Sequence, residues 1–404
     1  VSTEPLSTPS AAPRQAFVLV VITLIGLHAC MGATRVAASL AVLEQGHPAW
    51  TVGALLSLYG LAPIGLSLWA GRVADRHGFH RPVAWSIGFA LVGAVLPVLT
   101  QHVAALAASG LLTGGAAAFA AVAIQREAGL MARDVNDLKR VFSWVALGPA
   151  LSNTVAPVVV GLLIDHVGFR AAFAFGALLP LVAAWAAWRV PQVAASTPTA
   201  NAPASFRSAI GLLRMPHLRN LLLVNVAMAA AWDAHTFTVP VVGHARDLSA
   251  SAIGLILGSF AVASTLVRLA ISSFAQRVDE RRALRWAMTL ATAVLLVYAW
   301  LPGAPGMMVG SALLGLALGS VQPMVLSMLH QGAPPGRQGQ ALALRMLFTN
   351  AATIAMPVGF GFLAAASASA APMWLMAALL LAARFPVARL AQRATTSEAD
   401  ADRV

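Results

Sequence analysis

Between Ala16 and Leu43 the chain carries one charged side chain, Arg35, in a run longer than the ~20 apolar residues that take a helix across a bilayer. The pattern then recurs. Apolar segments bounded by Gly/Pro turns and charges lie near 16–43, 49–70, 82–100, 103–125, 140–162, 170–188, 219–243, 250–272, 283–301, 306–329, 340–364 and 371–388. Backbone polar groups cannot stay unpaired in hydrocarbon, so each segment is expected to be a helix. Composition agrees, with 59% hydrophobic residues and only 10% charged, where a soluble chain carries about 25% charge. The expected fold class is an all-α, multi-pass membrane protein with twelve transmembrane helices.

The formal charge is +12, a balance that in a soluble protein would point to nucleic acid. Placement argues against that partner. Arg170 and Arg246 alone fall in loops after odd-numbered segments, and Arg35, Arg268 and Arg345 lie inside segments. The other basic residues, Lys139 the only lysine among them, sit in the tails, after even-numbered segments, or, as Arg140, Arg219, Arg285 and Arg384 do, near the segment ends that adjoin those loops and the C-tail. By the positive-inside rule both termini are expected in the cytoplasm. Residues 1–15 form a polar N-tail, and the apolar run after it is too long for a signal-peptide core and reads as a retained helix. A lone Cys30 leaves no internal disulfide and no cysteine metal cluster. Without a P-loop, an H-E-x-x-H pair or a G-x-S-x-G elbow, the chain is not expected to be an enzyme or to hold a metal or cofactor.

The stretch 190–208 is polar and aperiodic, and reads as a cytoplasmic linker. Across it the sequence repeats. Residues 51–62 lie over 252–263 with Gly53 on Gly254, and the same register places Arg76 on Arg277 and Arg81 on Arg282. One residue less puts Pro157 and Gly161 on Pro357 and Gly361. This divides the chain into an N-terminal bundle (16–189), a C-terminal bundle (209–390) and a C-tail (391–404). Parallel repeats of this kind place a substrate site near the midplane between halves.

After the second segment comes Gly71-Arg72-Val73-Ala74-Asp75-Arg76-His77-Gly78-Phe79-His80-Arg81. It resembles the loop signature of the major facilitator superfamily, G-x-x-x-D-R-x-G-R-R. Gly71, Asp75, Arg76 and Gly78 stand in register, Phe79 and His80 replace the basic pair, and Arg81 adds a charge slightly later. A worn copy runs from Ser272 to Arg282, with Gln276 in place of the aspartate. The resemblance implies two pseudo-symmetric six-helix bundles that rock against each other in alternating access. It also implies a cytoplasmic gate made of these residues, with Arg126 as the partner of Asp75; solvated charges are the plainer alternative. Ser152 to Gly161 is similar to the G-x-x-x-G-P-x-x-G-G motif of drug/proton antiporters, retaining Pro157 and Gly161 for a bend and close packing. The arginine that relatives place before the glycine of R-x-x-x-G is missing from Ser109–Gly114.

A charge at the bilayer centre costs at least ~2.5–3.5 kcal/mol, so it faces the interior of the bundle and serves a purpose there. His28, Gly32, Arg35 and Ser39 share one face of segment one. Asp233 falls on Gly32 in the repeat and, on this layout, is the only acid well inside a segment; Thr236 shares its face. Arg268 and Arg345 extend polar stripes on segments eight and eleven, where snorkelling is the alternative. His28 and His235 read as packed histidines or as proton carriers. The expected cavity comprises His28, Arg35, Asp233, Thr236, Arg268 and Arg345, with Asp233 as the proton-coupling group. Its positive balance favours carboxylate, phosphate, catecholate or hydroxamate groups.

These features make the chain a proton-coupled secondary transporter, expected as a monomer in the bacterial inner membrane. It would export a small organic molecule such as a drug, metabolite or siderophore, driven by the proton gradient. Uptake of an organic anion, and a transporter-like sensor or lipid-handling protein, are the alternatives.

Overall fold

The computed structural model describes residues 11–131, 135–191, 210–273, 279–334 and 337–383, which form helices and turns without a strand among them. In order the helices are α1 (Ala11–Glu44), α2 (Ala49–His77), α3 (His80–Leu99), α4 (Val103–Met131), α5 (Val135–His166) and α6 (Phe169–Trp188). They continue with α7 (Pro216–Ala245), α8 (Ala250–Ser273), α9 (Glu280–Val297), α10 (Gly303–Gly332) and α11 (Gln338–Ala366). A shorter apolar helix, α12 (Ala371–Ala383), follows. Every apolar segment of the sequence has its helix. Among the described residues nine helices are long and apolar enough to cross a membrane, and Ala49–Pro63 of α2 and α12 add shorter apolar stretches. Residues 1–10, most of the expected linker and the C-tail lie outside the described residues.

One boundary changes the electrostatics. The fourth segment was expected to end near 125, but α4 runs to Met131 and carries Arg126 and Glu127 within it. Glu127 is only 2% exposed, so α4 carries a buried acid that the expected segment bounds had left outside, four residues before the helix ends. The helix continues because nothing in Gln125-Arg126-Glu127-Ala128 breaks it: all four are good helix formers.

The chain packs as two compact units. The first comprises the described parts of Val1–Arg35, Leu61–Ala156 and Arg170–Thr199. Small residues let helices crowd onto α1 there. A Cβ on Gly26 would meet the Leu179 carbonyl of α6 at 2.9 Å, and one on Gly148 of α5 would meet Leu24 at 3.1 Å. Ser152 Oγ donates to the Ile25 carbonyl at 3.2 Å, and the Thr34 and Thr113 hydroxyls lie 3.3 Å apart, joining α1 to α5 and α4. Val20, Leu24, Leu27 and the buried Cys30 pack into the core beneath them.

The second unit comprises the described parts of Val36–Gly60, Pro157–Phe169 and Ala200–Val404. It therefore gathers the arginine-poor ends of α1, α2 and α5 with the C-terminal helices. Within it α8 and α10 lie backbone to backbone, since Cβ atoms on Gly315 and Gly319 would fall 3.0 Å from Phe260 C and 2.7 Å from Ser264 Cα. Arg246, in the α7–α8 turn, donates to the carbonyls of Leu301 (2.9 Å) and Ala299 and pins the α9–α10 turn. At the start of α9, Asp279 accepts from the N–H groups of Arg281 and Arg282 at 3.0 and 3.1 Å. The Arg282 N–H leads the causes that hold its carboxyl below the usual carboxylate range.

Candidate functional site

The α2–α3 turn shows what the loop motif does locally. Gly78 has φ +67°, a left-handed conformation that closes α2 with its N–H on the Ala74 carbonyl at 2.9 Å. Phe79 and His80, which depart from the superfamily pattern, are used structurally. Phe79 is 3% exposed and joins the core of the first unit, while His80 Nε2 lies 3.0 Å from the Val190 carbonyl at the end of α6. Arg76 and Arg81 are exposed. Arg126 is half-buried, next in sequence to the buried Glu127, on whose charge it and His80 both act. The side chain of Asp75 and the burial of Gly71 lie outside what is described.

The intramembrane polar residues divide between the units. His28 and Arg35 belong to the first, half-buried on α1 either side of Gly32, with Arg35 Nε shielded from solvent. Asp233, Thr236, Arg268 and Arg345 belong to the second. There α7 presents Asn225, Trp232 and Thr236 along one face, seven and four residues apart, with Asp233 beside them. One carboxylate oxygen of Asp233 is shielded from solvent.

Arg268 of α8 is engaged. Its Nε donates to the Gly319 carbonyl at 3.2 Å, and its guanidinium stands 5.6 Å from the centroid of the Trp232 ring. Trp232 meets Phe260 edge-on at 4.5 Å. Asn225 Nδ2 donates to Thr349 Oγ1 at 2.9 Å, tying α7 to α11 one turn from Arg345. Arg345 differs from Arg268: its Nε is buried with no hydrogen-bond partner. The arrangement offers one held cation, one cation with an unused donor, and a carboxylate on α7.

His235 points elsewhere, as a two-residue step on a helix requires. It is fully buried, stacked on Phe260 at 4.3 Å, with Nε2 2.8 Å from Ser311 Oγ. Ser311 lies 2.6 Å from Tyr298 OH, which reaches the Met307 carbonyl at 3.3 Å. A carbonyl only accepts, so one order leaves no donor unmet. In it Nε2–H donates to Ser311, Ser311 to Tyr298 and Tyr298 to Met307. Nδ1 is then a bare lone pair, consistent with its having no partner.

Sequence reasoning also missed how Pro157 and Gly161 are used. Within the second unit the Pro157 carbonyl presses on Gly254, and Gly161 on Ala250 and Ser251, so α5 and α8 touch without side chains between them. The repeat-related residues do the same elsewhere: the Pro357 carbonyl presses on Gly53, and Gly361 on Ala49 and Trp50. Ser57 Oγ adds a hydrogen bond to the Ile354 carbonyl at 2.6 Å. The repeat register was the available signal, since it had already paired these positions. Asp165, which bonds the start of α8, stood out only as the acid of Asp165…Gly168-Phe169-Arg170 after the motif, with no sign of its partner.

Comparison with known proteins places this architecture. No curated protein matches the sequence. Among solved structures, a mutant of the nucleoside transporter NupG is similar at TM-score 0.76 and 13% identity, covering 93% of this chain and 99% of that one. The peptide transporter POT, solved with sulfate, is similar at TM-score 0.74 and 16% identity, covering 94% of each chain. A bacterial homologue of the iron transporter ferroportin, solved in an inward-facing state, is similar at TM-score 0.69 and 16% identity, covering 95% of this chain and 99% of that one. The sequence profile of the Major Facilitator Superfamily matches residues 20–304 and again 221–403, two overlapping spans that together take in nearly the whole chain. With the helix order, the motif turn and this match in agreement, the chain belongs to the major facilitator superfamily and is a multi-pass membrane transporter rather than an enzyme.

Proposed function

We propose that the chain is a proton-coupled exporter of a small organic molecule with anionic oxygen groups, such as a drug, metabolite or siderophore. The observation that carries the anionic part is Arg345, whose buried Nε has no protein partner while Arg268 is already held by Gly319 and Trp232. A buried, unsatisfied donor is costly, and an anionic group on the cargo would meet it. The residues we assign to cargo are Thr236 and Arg268, with Arg345, in the second unit and His28 and Arg35 on α1 in the first.

Coupling is assigned to Asp233, protonated in one facing state and paired with a cavity arginine, Arg35, in the other. Burial penalises the carboxylate and a nearby cation favours it, so movement between such environments would take up or release a proton. The likeness of Ser152–Gly161 to the drug/proton antiporter motif supports export. The charge distribution supports cytoplasmic termini in a bacterial inner membrane. Nothing in the reading requires more than a monomer.

The test is cargo flux in proteoliposomes with an imposed pH gradient of either sign and a panel of organic anions. An exporter accumulates cargo when the compartment receiving it is acidic, and importers show the opposite sign. Asp233→Asn should abolish accumulation against a gradient while leaving downhill exchange. A variant that still concentrates cargo at the wild-type level would overturn the coupling role. Arg345→Ala should raise KM for anionic cargo more than for a neutral analogue.

A further inference from the structure

The α5–α8 and α2–α11 seams are related by the internal repeat, yet they differ at one rung. One turn beyond Gly161 stands Asp165, and one turn beyond Gly361 stands Ala365. Asp165 Oδ1 accepts from the Ala250 N–H at 2.9 Å and Oδ2 from the Ser251 N–H at 2.8 Å, so both oxygens sit on the first turn of α8. The other seam is closed without charge by Trp50 stacked on Phe362, ring centroids 6.3 Å apart and 8° from parallel.

The position of this carboxylate makes sense only while the seam is closed. Asp165 lies in the last turn of α5, where the helix end is negative and repels an anion. The N-terminus of α8 reverses that, because its free N–H groups and positive end favour the charge. Helix α8 does not need it for its own start: Ser249 Oγ already accepts from the Ala252 N–H at 3.2 Å. The contact therefore contributes to holding α5 against α8, not to forming either helix.

We infer that Asp165 is an electrostatic latch that holds the arginine-poor face of the transporter closed and is released when the carboxylate takes a proton from that side. Protonation turns one oxygen into an O–H donor, which then faces an N–H donor across the seam. One of the two bonds is lost and the dipole attraction goes with the charge. Separated from α8, the carboxyl faces water and either form is accommodated. Closure and protonation thus oppose each other, and acid on that face shifts the equilibrium toward opening.

The surroundings leave the latch to this one acid. Its hydrogen-bond donors are the two N–H groups, both uncharged, and the hydroxyls of Ser249 and Ser251 pair with each other at 3.0 Å. By sequence, the charged and titratable residues of the turns that adjoin α5 and α8 on this side are His166, Arg170, His244, Arg246 and Asp247. Arg246 is engaged with the carbonyls of Leu301 and Ala299. None of the five forms an ion pair with Asp165 among the described residues. The inference rests on the transporter fold alone and is independent of cargo, direction and the role of Asp233.

The experiment measures spin-label distances in the full chain in lipid nanodiscs. Labels go on Val167→Cys (Val167 is 71% exposed) and Ala245→Cys, with Cys30 replaced by alanine. The wild-type pair should be mainly short at pH 7.5, with a longer-distance population that grows several-fold by pH 3, since a water-facing carboxyl takes its proton only near or below about pH 4. Asp165→Asn should show the longer population at both pH values, with the response to pH lost. Ala250→Pro removes one N–H donor at a position where proline suits a first helical turn, and should act alike if Asp165→Asn fails to fold. His166→Gln should keep the wild-type response. The latch is refuted if wild type ignores pH over this range, if Asp165→Asn or Ala250→Pro responds as wild type does, or if His166→Gln abolishes the response.

Discussion

Gly161 approaches α8 so closely that a Cβ placed on it would stand 2.8 Å from the Cα of Ser251. Since the obstacle is backbone, it cannot rotate away. Gly161→Ala must push the helices apart, at a cost of about 1–3 kcal/mol to the closed seam by analogy with overpacked cores. Gly361→Ala meets the Cα of Trp50 at 2.6 Å and should do the same to α2 and α11. Gly88, with nothing within 4 Å, is the control. Both seam variants should lower the melting temperature and turnover, with Gly88→Ala unchanged; wild-type behaviour in Gly161→Ala would show that the seam does not close this tightly.

Asp75→Asn should cripple turnover while leaving expression, melting temperature and cargo affinity close to wild type. The expectation follows from the motif: the carboxylate serves switching between states, and Gly78 supplies the turn geometry independently. Transport assays paired with equilibrium cargo binding separate the two effects. Full transport by the variant would remove Asp75 from the gate.

The His235–Ser311–Tyr298 chain predicts a non-additive pair. Ser311→Ala leaves the His235 Nε2–H buried without an acceptor, a loss of about 1–3 kcal/mol. In Ser311→Ala/His235→Phe both polar partners are gone and a ring still faces Phe260, so much of that loss should be recovered. Thermal melts of the two singles and the double in detergent give the coupling. Additive losses would mean that the hydrogen bond contributes little.

Topology follows from the distribution of arginines. Reporter fusions after residues 200 and 395 should be active in the cytoplasm, and one at Gly303, in the turn pinned by Arg246, should be active outside. An external reporter at residue 200 would contradict the twelve-span orientation.

The helices were legible because lipid imposes a length on each apolar run; Gly78 was legible only as a position of the loop motif, and its left-handed turn was not. Glu127 was missed for a local reason: a charge after an apolar run looks like its end, although the helix has no cause to stop. The use of Asp165, visible only as the acid of the Asp165…Gly168-Phe169-Arg170 run, was missed for a topological one. Its partners Ala250 and Ser251 are joined through backbone N–H groups, and backbone donors leave no mark in a sequence. Likewise the contrast between Arg268 and Arg345 depends on whether a carbonyl such as that of Gly319 lies within reach. Both arginines had looked alike as polar-stripe residues.

The seams also bear on how such a chain can change over generations. Contact at Gly53, Gly161, Gly254 and Gly361 is made with a neighbour's backbone, so drift in the neighbouring side chains leaves the fit intact, while these four positions of the two seams are themselves closed to larger residues. Once duplicated, the geometry could stay symmetric while a single adjacent residue, Asp165 on one side and Ala365 on the other, took on its own chemistry. One exit of the carrier could thus be retuned to its surroundings by a point mutation, without disturbing the hinge it shares with its twin.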